Sequence, residues 1–403
     1  MKDRVLIIGA GPVGLLIAQT LKKLGIPFGV FEQAASVDAR PRDWSFGVYW
    51  AQTPLAECLP EGIDEKFLVE NAQVDDLKPT ADFVLPFFNS ETGDLLKEVP
   101  IPFSIRFAKR KFVGILSQGV DICYGKRLAE VKTEADVVTA VFEDGIKEEG
   151  KLLIGCDGAH SKVRDFLLGP ESAALKPLPF LSSVVLASVS KETALAIREV
   201  HPRNVSVISP SGTFGWISIH DCHDPDPAKW IFMYIMTWPE AQAEEDLDAS
   251  DRPDIVQVMK EKSEGFAEPL KSLFQAIPDD ALLAWHNRLS NWPTEKWDNK
   301  NGKVTLAGDA AHPMTFHRGQ GLNNAISDAY TLMCALQEHY LPSGAGPFVE
   351  ALKIYEDDVW KRGREAVVSN EENTIMLHDW EKFTQSPLFN IGVAKSVADQ
   401  EAR

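Results

Sequence analysis

Three glycines near the start of the chain, Gly9, Gly11 and Gly14, have the G-x-G-x-x-G spacing of a nucleotide-binding turn. In such a turn the first glycine allows a tight bend, the second lets a pyrophosphate approach the backbone, and the third lets a helix pack closely on a strand. Pro12 and Val13 begin the following helix, whose free N–H groups favour phosphate. The spacing therefore predicts a dinucleotide site.

An acid stands where such a site needs one. Glu32, 18 residues after Gly14 and followed by Gln33, ends the next apolar run and is placed to accept hydrogen bonds from a ribose diol. An acid rather than an arginine at this position favours an unphosphorylated ribose, so the cofactor is predicted to be FAD or NAD.

A second group of candidate residues lies about 300 residues further on and decides between these cofactors. The group comprises Gly308, Asp309, Gly319, Gly321, Leu322 and Asn323. Asp309 can bind a polyol hydroxyl, and the run 319–323 opens a helix whose free N–H groups suit an electron-rich oxygen. A flavin needs both an anchor for its ribityl chain and positive potential near its ring, so the pair of features favours FAD.

The elements that position these residues are short apolar strands. Val5–Ile8 precedes the glycine turn, 152–154 precede the run GCDGAHSKVR, and 304–307 precede the motif that contains Asp309. Wholly apolar runs of this length are typical of a buried parallel sheet. Between about 170 and 293 the runs become β-prone and rich in aromatic residues, at 183–188, 204–208, 214–219 and 230–238.

The predicted fold is α/β, a Rossmann-like FAD-binding domain with an inserted β-sheet substrate domain and C-terminal helices. We assign 1–75, 100–170 and 290–342 to the FAD-binding domain, 76–99 and 171–289 to the substrate-binding sheet, and 343–403 to the helical segment. An acidic stretch at 244–254 precedes a predicted helix. Trp216, Tyr234 and Trp238 are predicted to lie on strands, where they either line an aromatic pocket or belong to the core.

Composition excludes several classes of function. The 403 residues include 41 Lys and Arg against 59 Asp and Glu, a net charge of −18 that disfavours nucleic acid and anionic membrane surfaces as partners. The five cysteines are scattered, without a C-x-x-C pair, which argues for a reducing compartment and against a thiolate metal site. The cluster of ligand-type residues at 220–223 is predicted to be a solvated turn. With no apolar run long enough to span a membrane, we expect a cytoplasmic protein.

In their order along the chain, GAGPVG with Glu32, GCDGAHSKVR and GDAAHPMTFHRGQGLNNAISDA resemble the three signatures of the FAD-dependent aromatic hydroxylases. These are flavoprotein monooxygenases of the para-hydroxybenzoate hydroxylase fold. The resemblance covers about 370 residues. In detail the sequence, including the run ARPRDW, is most similar to fungal secondary-metabolite monooxygenases.

The resemblance implies a role for each matching position in FAD binding. Glu32 would bind the adenosine ribose and Asp309 the ribityl chain, while Asp157 and Gly158 stand in the DG motif that serves the pyrophosphate and NAD(P)H. The family has a basic residue where this chain has Lys109, and Arg106 is the alternative for that phosphate contact.

The same resemblance points to residues near the reacting atoms. Arg42 matches an arginine near the moving flavin, and the adjacent Asp43 is a candidate acid or substrate contact. Phe316 replaces the proline usual in the family, and His317 and Arg318 after it are candidate pocket groups, His317 being alternatively a satisfied loop histidine.

The implied reaction is an oxygenation that uses NADPH or NADH and O2, with a mobile flavin that forms a C4a-hydroperoxide. The expected substrate is an aromatic or polyketide/indole-like molecule that is hydroxylated or epoxidised. Baeyer–Villiger oxygenation on the same fold, a non-oxygenating flavin reductase and a flavin-binding protein without turnover remain alternatives. The terminal helices either cover the core or form a homodimer contact.

Overall fold

The computed structural model describes residues 3–39, 42–134, 136–240, 252–341 and 348–393. Its strands are β1 (Val5–Ile8), β2 (Phe28–Phe31), β3 (Ser45–Val48), β4 (Val84–Asn89), β5 (Leu95–Pro100), β6 (Ile105–Ala108), β7 (Ile122–Cys123), β8 (Leu128–Thr133), β9 (Val138–Phe142), β10 (Lys147–Gly150), β11 (Leu152–Gly155), β12 (Lys176–Ser188), β13 (Asn204–Ile208), β14 (Phe214–Asp221), β15 (Ile231–Pro239), β16 (Leu283–Asn291) and β17 (Val304–Leu306). Its helices are α1 (Pro12–Lys23), α2 (Gln52–Cys58), α3 (Glu65–Ala72), α4 (Lys109–Leu116), α5 (Lys162–Leu168), α6 (Pro170–Ala173), α7 (Lys191–Val200), α8 (Arg252–Lys262), α9 (Leu270–Gln275), α10 (Gly321–His339), α11 (Val349–Leu377) and α12 (Pro387–Ile391).

A five-stranded parallel sheet carries the nucleotide-binding turn. Its order is β17-β11-β1-β2-β7, and β1, β2, β11 and β17 are joined by parallel pairing. The four residues of β1 and of β11 are all buried, which explains their wholly apolar sequence. The predicted strands and the parallel arrangement are confirmed, and the carboxyl ends of β1, β11 and β17 lie side by side.

A seven-stranded sheet, in the order β16-β12-β15-β14-β13-β4-β5, forms the second layer. On one face, Tyr234 and Trp238 belong to a core cluster with residues of α7, α8 and α9. The opposite face carries Trp216 and Ile235, and on it Phe214 and Thr237 contact His317 in the loop that precedes α10. Strand alternation places these residues on opposite faces because Tyr234 and Ile235 are neighbours in β15.

The remaining strands form two small sheets. One is the antiparallel pair β3–β6, in which Gly47 pairs with Arg106, and the other has the order β10-β9-β8. The helix predicted after the acidic stretch is α8, but most of that stretch lies outside the described residues.

Two long helices complete the described fold. The helix α10 starts directly after the glycine-rich run and packs on α1 and α11. The C-terminal α12 leads to Val393, whose carbonyl accepts a hydrogen bond from the Gln320 side chain. None of the helices in the described ranges combines the length and the apolar character needed to cross a bilayer.

Candidate active site

The glycine turn after β1 has two tightly packed positions and one open position. A Cβ at Gly9, whose φ is +109°, would lie 2.3 Å from the carbonyl oxygen of Cys156, and one at Gly14 would lie 2.1 Å from that of Gly9. A Cβ at Gly11 would meet nothing within 4 Å. Gly9 and Gly14 are therefore required by the protein's own packing, whereas Gly11 faces space that a phosphate can enter.

The N-terminus of α1 points its free N–H groups into this space. Gly11 is its N-cap, without a side-chain capping bond, and Pro12 occupies the first turn. The unbonded N–H groups of a first turn carry partial positive charge and are suited to a pyrophosphate.

Glu32 directly follows β2 and is hydrogen-bonded to the glycine turn. Its Oε2 accepts from the backbone N–H of Ala10 at 2.9 Å, and its Oε1 accepts from that of Ala34 at 2.8 Å. Each carboxylate oxygen can accept a further bond from a ribose hydroxyl. Gln33 lies beside it with an exposed side chain.

Asp309 lies just after β17, in the short 3₁₀ turn Gly308–Ala310. Its side chain is accessible to solvent, yet the surrounding protein raises the pKa of its carboxyl above the usual value. Interactions with His312, Arg164 and Lys109 lower the pKa of Asp309 in part, and the nearby Asp328 adds to the rise. Asp309 is thus a solvent-accessible acid at the carboxyl end of β17, where it can bind a polyol chain. Lys109 stands at the start of α4 with its Nζ 4.0 Å from the ring centre of Trp44.

The DG turn after β11 adjoins the same space. The carboxylate of Asp157 accepts from the Ser161 hydroxyl at 2.5 Å and from the Lys162 N–H at 2.7 Å, so it is bound to the start of α5. Gly158, with φ +82°, has nothing within 4 Å of where a Cβ would stand. Asp157 shapes the turn, and the open position is Gly158.

Arg164 joins two of these motifs, a role that the sequence analysis missed. Its Nη2 donates to the carbonyl of Ala159 at 2.5 Å and its Nη1 to that of Ala310 at 2.9 Å. The side chain is buried, and its guanidinium lies 4.9 Å from the ring centre of Trp292. The last residue of the run GCDGAHSKVR was the available signal, but only the fold brings residue 310 to it.

A buried ionic network under Gly308 was also missed. The carboxylate of Asp328 accepts from the Gly308 N–H at 2.6 Å, bonds His312 Nε2 at 2.8 Å and accepts from Arg362 Nη2 at 2.8 Å. Burial alone would raise the pKa of Asp328, but His312 and Arg362 lower it below the usual value. The network fixes the loop that carries Asp309.

The N-terminus of α10 is open as predicted, but one residue there has a different use. No side chain caps the helix at Gln320, and a Cβ at Gly321 would meet nothing within 4 Å. The Asn323 side chain, however, donates to the carbonyl of Gly47 and accepts from the N–H of Tyr49, both at 2.9 Å. The carboxamide of Asn323 therefore holds β3 to α10, and the predicted cofactor contact at this residue would be made by its backbone. Leu322 is half-buried beside it, and Gly319 adopts φ +61°.

The side chains of Arg42 and Asp43 have different surroundings. Arg42 is exposed, with its guanidinium 5.9 Å from the ring centre of Trp285 on β16, so it lies between the two layers. The carboxylate of Asp43 is buried and bonds His220 at 3.2 Å while accepting from the N–H of Arg110 near the start of α4. Burial would raise the pKa of Asp43, but the bonds to His220 and to backbone N–H groups lower it overall. An ionised carboxylate held in this way fixes the loop and is poorly suited to act as an acid.

His317 is bonded at both ring nitrogens. Its Nδ1 lies 2.9 Å from the Thr374 hydroxyl and its Nε2 lies 3.0 Å from the Thr237 hydroxyl. Burial, and then the nearby His378, hold the pKa of His317 well below its usual value, so the ring is neutral. The geometry matches the satisfied loop histidine that the sequence left open as an alternative.

Arg318 is bonded to α11 and to the C-terminal segment. Its Nη1 donates to the Ser369 hydroxyl at 2.7 Å and its Nη2 to the carbonyl of Gly392 at 3.0 Å. Burial lowers its pKa to about 10. Arg318 therefore fastens the C-terminal segment to the loop that precedes α10, and its predicted role as a pocket group is not supported by its contacts.

An apolar wall lies on the face of the seven-stranded sheet that contacts His317. On the open face of the seven-stranded sheet, Trp216, Ile235 and Trp285 are half-buried, and Phe316 on the opposite loop is 38% exposed. Of the three aromatic residues predicted from the strands, only Trp216 lies here, since Tyr234 and Trp238 are core residues.

Arg106 lies with this wall and not with the phosphate turn. Its guanidinium bonds hydroxyls on β3 and β14 and stacks 5.5 Å from the ring centre of Trp216. The predicted alternative, in which Arg106 contacts phosphate, is therefore not supported, and Lys109 is the basic residue near Asp309.

The residues present fit FAD. Three unobstructed glycines, two uncapped helix N-termini, a bound acid directly after β2 and an accessible acid after β17 follow the carboxyl ends of the parallel strands. This is a donor and acceptor set for a pyrophosphate, a ribose, a ribityl chain and an electron-rich ring edge.

Comparison with known proteins identifies the same cofactor. Residues 115–368 match the family model described as FAD binding domain. The chain is 46% identical over 393 residues to the FAD-dependent monooxygenase cctM of Talaromyces islandicus, which covers 97% of this chain and 96% of that protein. It is 34% identical to the FAD-dependent monooxygenase phnB of Penicillium herquei, over 97% of this chain and 95% of that one.

Solved structures share the fold. PqsL of P. aeruginosa in complex with 2-aminobenzoylacetate has a TM-score of 0.75 at 18% identity, covering 96% of this chain and 99% of that chain. HpxO of Klebsiella pneumoniae in complex with FAD and uric acid has a TM-score of 0.72 at 20% identity, covering 95% and 91%. The chain thus belongs to the FAD-dependent flavoprotein monooxygenases of the para-hydroxybenzoate hydroxylase fold, and it is an oxidoreductase most similar to fungal members of that family.

Proposed function

We propose that this monooxygenase is driven by NADPH or NADH and transfers one oxygen atom from O2 to an aromatic or polyketide/indole-like small molecule. The observation that carries this proposal is the apolar wall of Trp216, Ile235 and Trp285, which lies on the sheet face that contacts His317, the neighbour of Phe316 in the chain. Aromatic and aliphatic side chains around a few polar groups are typical of a site for an apolar organic ligand.

When bound, FAD supplies the redox chemistry, taking hydride from the nicotinamide and activating O2. The chain contains a single G-x-G-x-x-G turn, whereas the proposed reaction uses two dinucleotides, FAD and NADPH or NADH. This supports a scheme in which the nicotinamide binds without a Rossmann domain of its own.

The chain's own residues have three tasks in this scheme. The turn at Gly11 and the acids Glu32 and Asp309 hold the cofactor, while Arg164 and Asp328 hold the loops that present them. The uncapped N-terminus of α10 provides partial positive charge where the ring edge becomes electron-rich. The wall on the seven-stranded sheet orients the substrate and excludes water from it.

The visible absorption spectrum of the purified protein, followed by anaerobic titration with NADPH and with NADH, tests the proposal. We expect flavin bands that bleach with at least one of the nicotinamides. After air is admitted, a substrate should increase NAD(P)H oxidation with one O2 consumed per product molecule. Flavin that no nicotinamide reduces would contradict the proposed electron donor. Oxygen that is returned entirely as hydrogen peroxide with every substrate offered would indicate a reductase.

A further inference from the structure

The turn 316–319 before α10 is held firmly, yet it presents one exposed aromatic ring. The N–H of Gly319 donates to the carbonyl of Phe316 at 2.8 Å, and Gly319 adopts φ +61°. His317 and Arg318 are buried and bonded to neighbouring elements. The phenyl ring of Phe316 is 38% exposed and stacks on the imidazole of His317, with ring centres 4.6 Å apart and planes inclined by 27°. A fixed turn therefore carries an aromatic ring that can contact a ligand.

Hydrogen bonds form a closed network around His317. Its Nε2 lies 3.0 Å from the Thr237 hydroxyl, which in turn lies 2.8 Å from Nε2 of His378. Nδ1 of His378 donates to the carbonyl of Thr374 at 2.7 Å, and the Thr374 hydroxyl lies 2.9 Å from Nδ1 of His317. The network therefore joins the turn to β15 and to the C-terminal end of α11.

The carbonyl of Thr374 sets the direction of the bonds at Thr237. Burial lowers the pKa of His378 to about 4, so its ring is uncharged near pH 7 and carries one N–H. Because a carbonyl can only accept, this N–H is at Nδ1. Nε2 of His378 therefore accepts from the Thr237 hydroxyl, whose oxygen accepts from Nε2–H of His317. Removing this one hydroxyl would break the bonds to both rings.

An apolar row crosses four strands on the sheet face that contacts His317. It consists of Trp285, Val184, Ile235 and Trp216, which are consecutive partners across β16, β12, β15 and β14. Adjacent strands are about 4.8 Å apart, so the row extends over about 14 Å. Val184 is buried and the other three side chains are half-buried. The row is therefore long enough for a ligand of more than one ring.

The network around His317 adjoins this row. Thr237 pairs with Phe214, two residues along each strand from the β15–β14 pair of the apolar row. The ring of Phe214 also contacts that of His317, with centres 5.1 Å apart at an angle of 78°. Residues two apart on a strand lie on the same face about 7 Å from each other. One imidazole therefore separates the Phe316 ring from the sheet beside the row.

We propose that Phe316 and the apolar row bind a planar, fused-ring aromatic substrate between them, and that His317 and Thr237 are positioning residues that hold the Phe316 ring. The inference rests on the proposed function, because it places the substrate of a monooxygenase in this space. Contacts between aromatic rings contribute beyond the area that they bury. A ring that is fixed before the ligand arrives loses less rotational freedom on binding. The arrangement therefore selects planar ring systems over saturated ones.

The test compares two neutral alcohols with the same carbon skeleton. 2-Naphthol is planar and aromatic, whereas decahydro-2-naphthol is saturated and puckered. Calorimetric titration of the FAD-loaded enzyme with each alcohol gives the preference, defined as the ratio of the two affinities. The wild-type enzyme should prefer 2-naphthol by about 5- to 150-fold, as expected when aromatic contacts are made on both sides of the ligand.

Variants assign the preference to the Phe316 ring and to its position. Phe316→Leu keeps an apolar side chain without the ring, and the preference should fall about 2- to 13-fold. Thr237→Val keeps the shape of the side chain but lacks the hydroxyl, and should show part of this loss, whereas Thr237→Ser retains the hydroxyl and should keep the preference. Phe103→Leu makes the same change at a ring that is 54% exposed between β5 and β6, and should leave the preference unchanged.

The inference would be overturned if the wild-type enzyme bound neither alcohol or showed no preference, or if Phe316→Leu kept the preference or lost no more of it than Phe103→Leu. An unchanged preference in Thr237→Val would overturn the positioning role. Should that variant fail to hold FAD, Thr374→Val removes the hydroxyl beside the other ring nitrogen of His317, and the same criterion applies to it.

Anaerobic reduction by NADPH and NADH is measured on the same samples. Flavin that is reduced normally in an enzyme that binds both alcohols equally contradicts only this inference. Flavin that is not reduced contradicts the proposed electron donor.

Discussion

The backbone N–H of Gly308 donates to Oδ2 of Asp328 over 2.6 Å, which ties the loop after β17 to the helix α10. Asp328 is fully buried and also binds Arg362, so one carboxylate links α10, α11 and the residue next to Asp309. The position of Asp309, the proposed ribityl anchor, therefore depends on a buried network of which Asp309 itself is not a member.

Replacing this carboxylate should cost both stability and flavin. In Asp328→Asn, Arg362 and His312 lose their shared anion, and breaking a buried ion pair in this way costs about 3–5 kcal/mol. We expect a lower urea midpoint and reduced FAD occupancy after purification. Asp279→Asn, at a surface pair with Lys260, is the matched control and should cost less than about 1 kcal/mol. Equal midpoints for the two variants would contradict the role of the network.

Gly11→Ala should separate cofactor binding from folding. The new Cβ meets no protein atom within 4 Å, and φ at Gly11 is −77°, so the apoprotein should keep its stability. The same Cβ would stand in the space assigned to the pyrophosphate, and overpacking of about 1–3 kcal/mol would weaken FAD about 5- to 150-fold. Isothermal titration of the apoprotein with FAD measures this.

Two other glycines provide the controls for that experiment. Gly114→Ala adds a Cβ in open space on α4, away from the cleft, and should leave FAD binding unchanged. Gly9→Ala would place a Cβ 2.3 Å from a backbone oxygen and should prevent folding. Full FAD affinity in Gly11→Ala would show that the phosphate does not approach there.

The sequence predicted what depends on local pattern. The turn at Gly9–Gly14, its flanking strands and the open start of α10 follow from residues close together in the chain, and the structure confirms them. Pairings between distant residues could not be predicted in this way. Asp328 and Arg362 are 34 residues apart on different helices, and Arg164 reaches a carbonyl 146 residues away.

Strand alternation also has a limit that the aromatic residues demonstrate. It separates the two faces of β15, but it does not say which face the helices α8 and α9 cover. Tyr234 and Trp238 therefore belong to the core cluster and Trp216 does not, although all three are aromatic residues in β-prone runs of the sequence. In the same way, an amide after a glycine run suggested a cofactor ligand, and only the pairing of β3 with α10 shows that Asn323 holds a strand.

Arg164→Lys should loosen both loops of the FAD site. The guanidinium donates to carbonyls of Ala159, Ala173 and Ala310, a set that an ammonium group cannot reach together. Loss of one or two charge-assisted bonds predicts a destabilisation of about 1.5–3 kcal/mol in urea unfolding. Lys162→Arg, on the exposed side of the same helix, should have no such effect, and equal behaviour of the two variants would argue against the bridging role.

Two buried groups should give opposite dependences of stability on pH. Burial raises the pKa of Glu356 to about 7, so the folded protein keeps a proton that the unfolded chain loses above 4.5, and this stabilisation is lost as the pH rises through 7. Burial lowers the pKa of His378 to about 4, so stability is lost as the pH falls from 6.5 to 4. Each group contributes a slope of at most about 1.4 kcal/mol per pH unit.

In the wild-type protein, Glu356 and His378 change the free energy of unfolding with pH in opposite directions. Replacing one of the two groups should therefore make the contribution of the other measurable. As the pH rises from 4.5 to 6.5, the stability of Glu356→Gln should increase relative to that of the wild-type protein. Over the same range, the stability of His378→Gln should decrease relative to that of the wild-type protein. Urea midpoints across this range measure the effect. Parallel curves for the three proteins would show that neither group titrates as assigned.

Asp309→Ala should strip FAD from the purified protein while leaving the fold intact, because the side chain is accessible to solvent and its carboxylate makes no hydrogen bond or ion pair with the described residues. Loss of a charge-assisted bond to the ribityl chain corresponds to about 1.5–3 kcal/mol, or a roughly 10- to 150-fold weaker FAD. Asp309→Asn keeps an acceptor oxygen and should fall between wild type and Asp309→Ala. Unchanged flavin content in Asp309→Ala, measured by the ratio of visible to protein absorbance, would remove Asp309 from the cofactor site and leave the N-terminus of α10 as the principal contact of the flavin half.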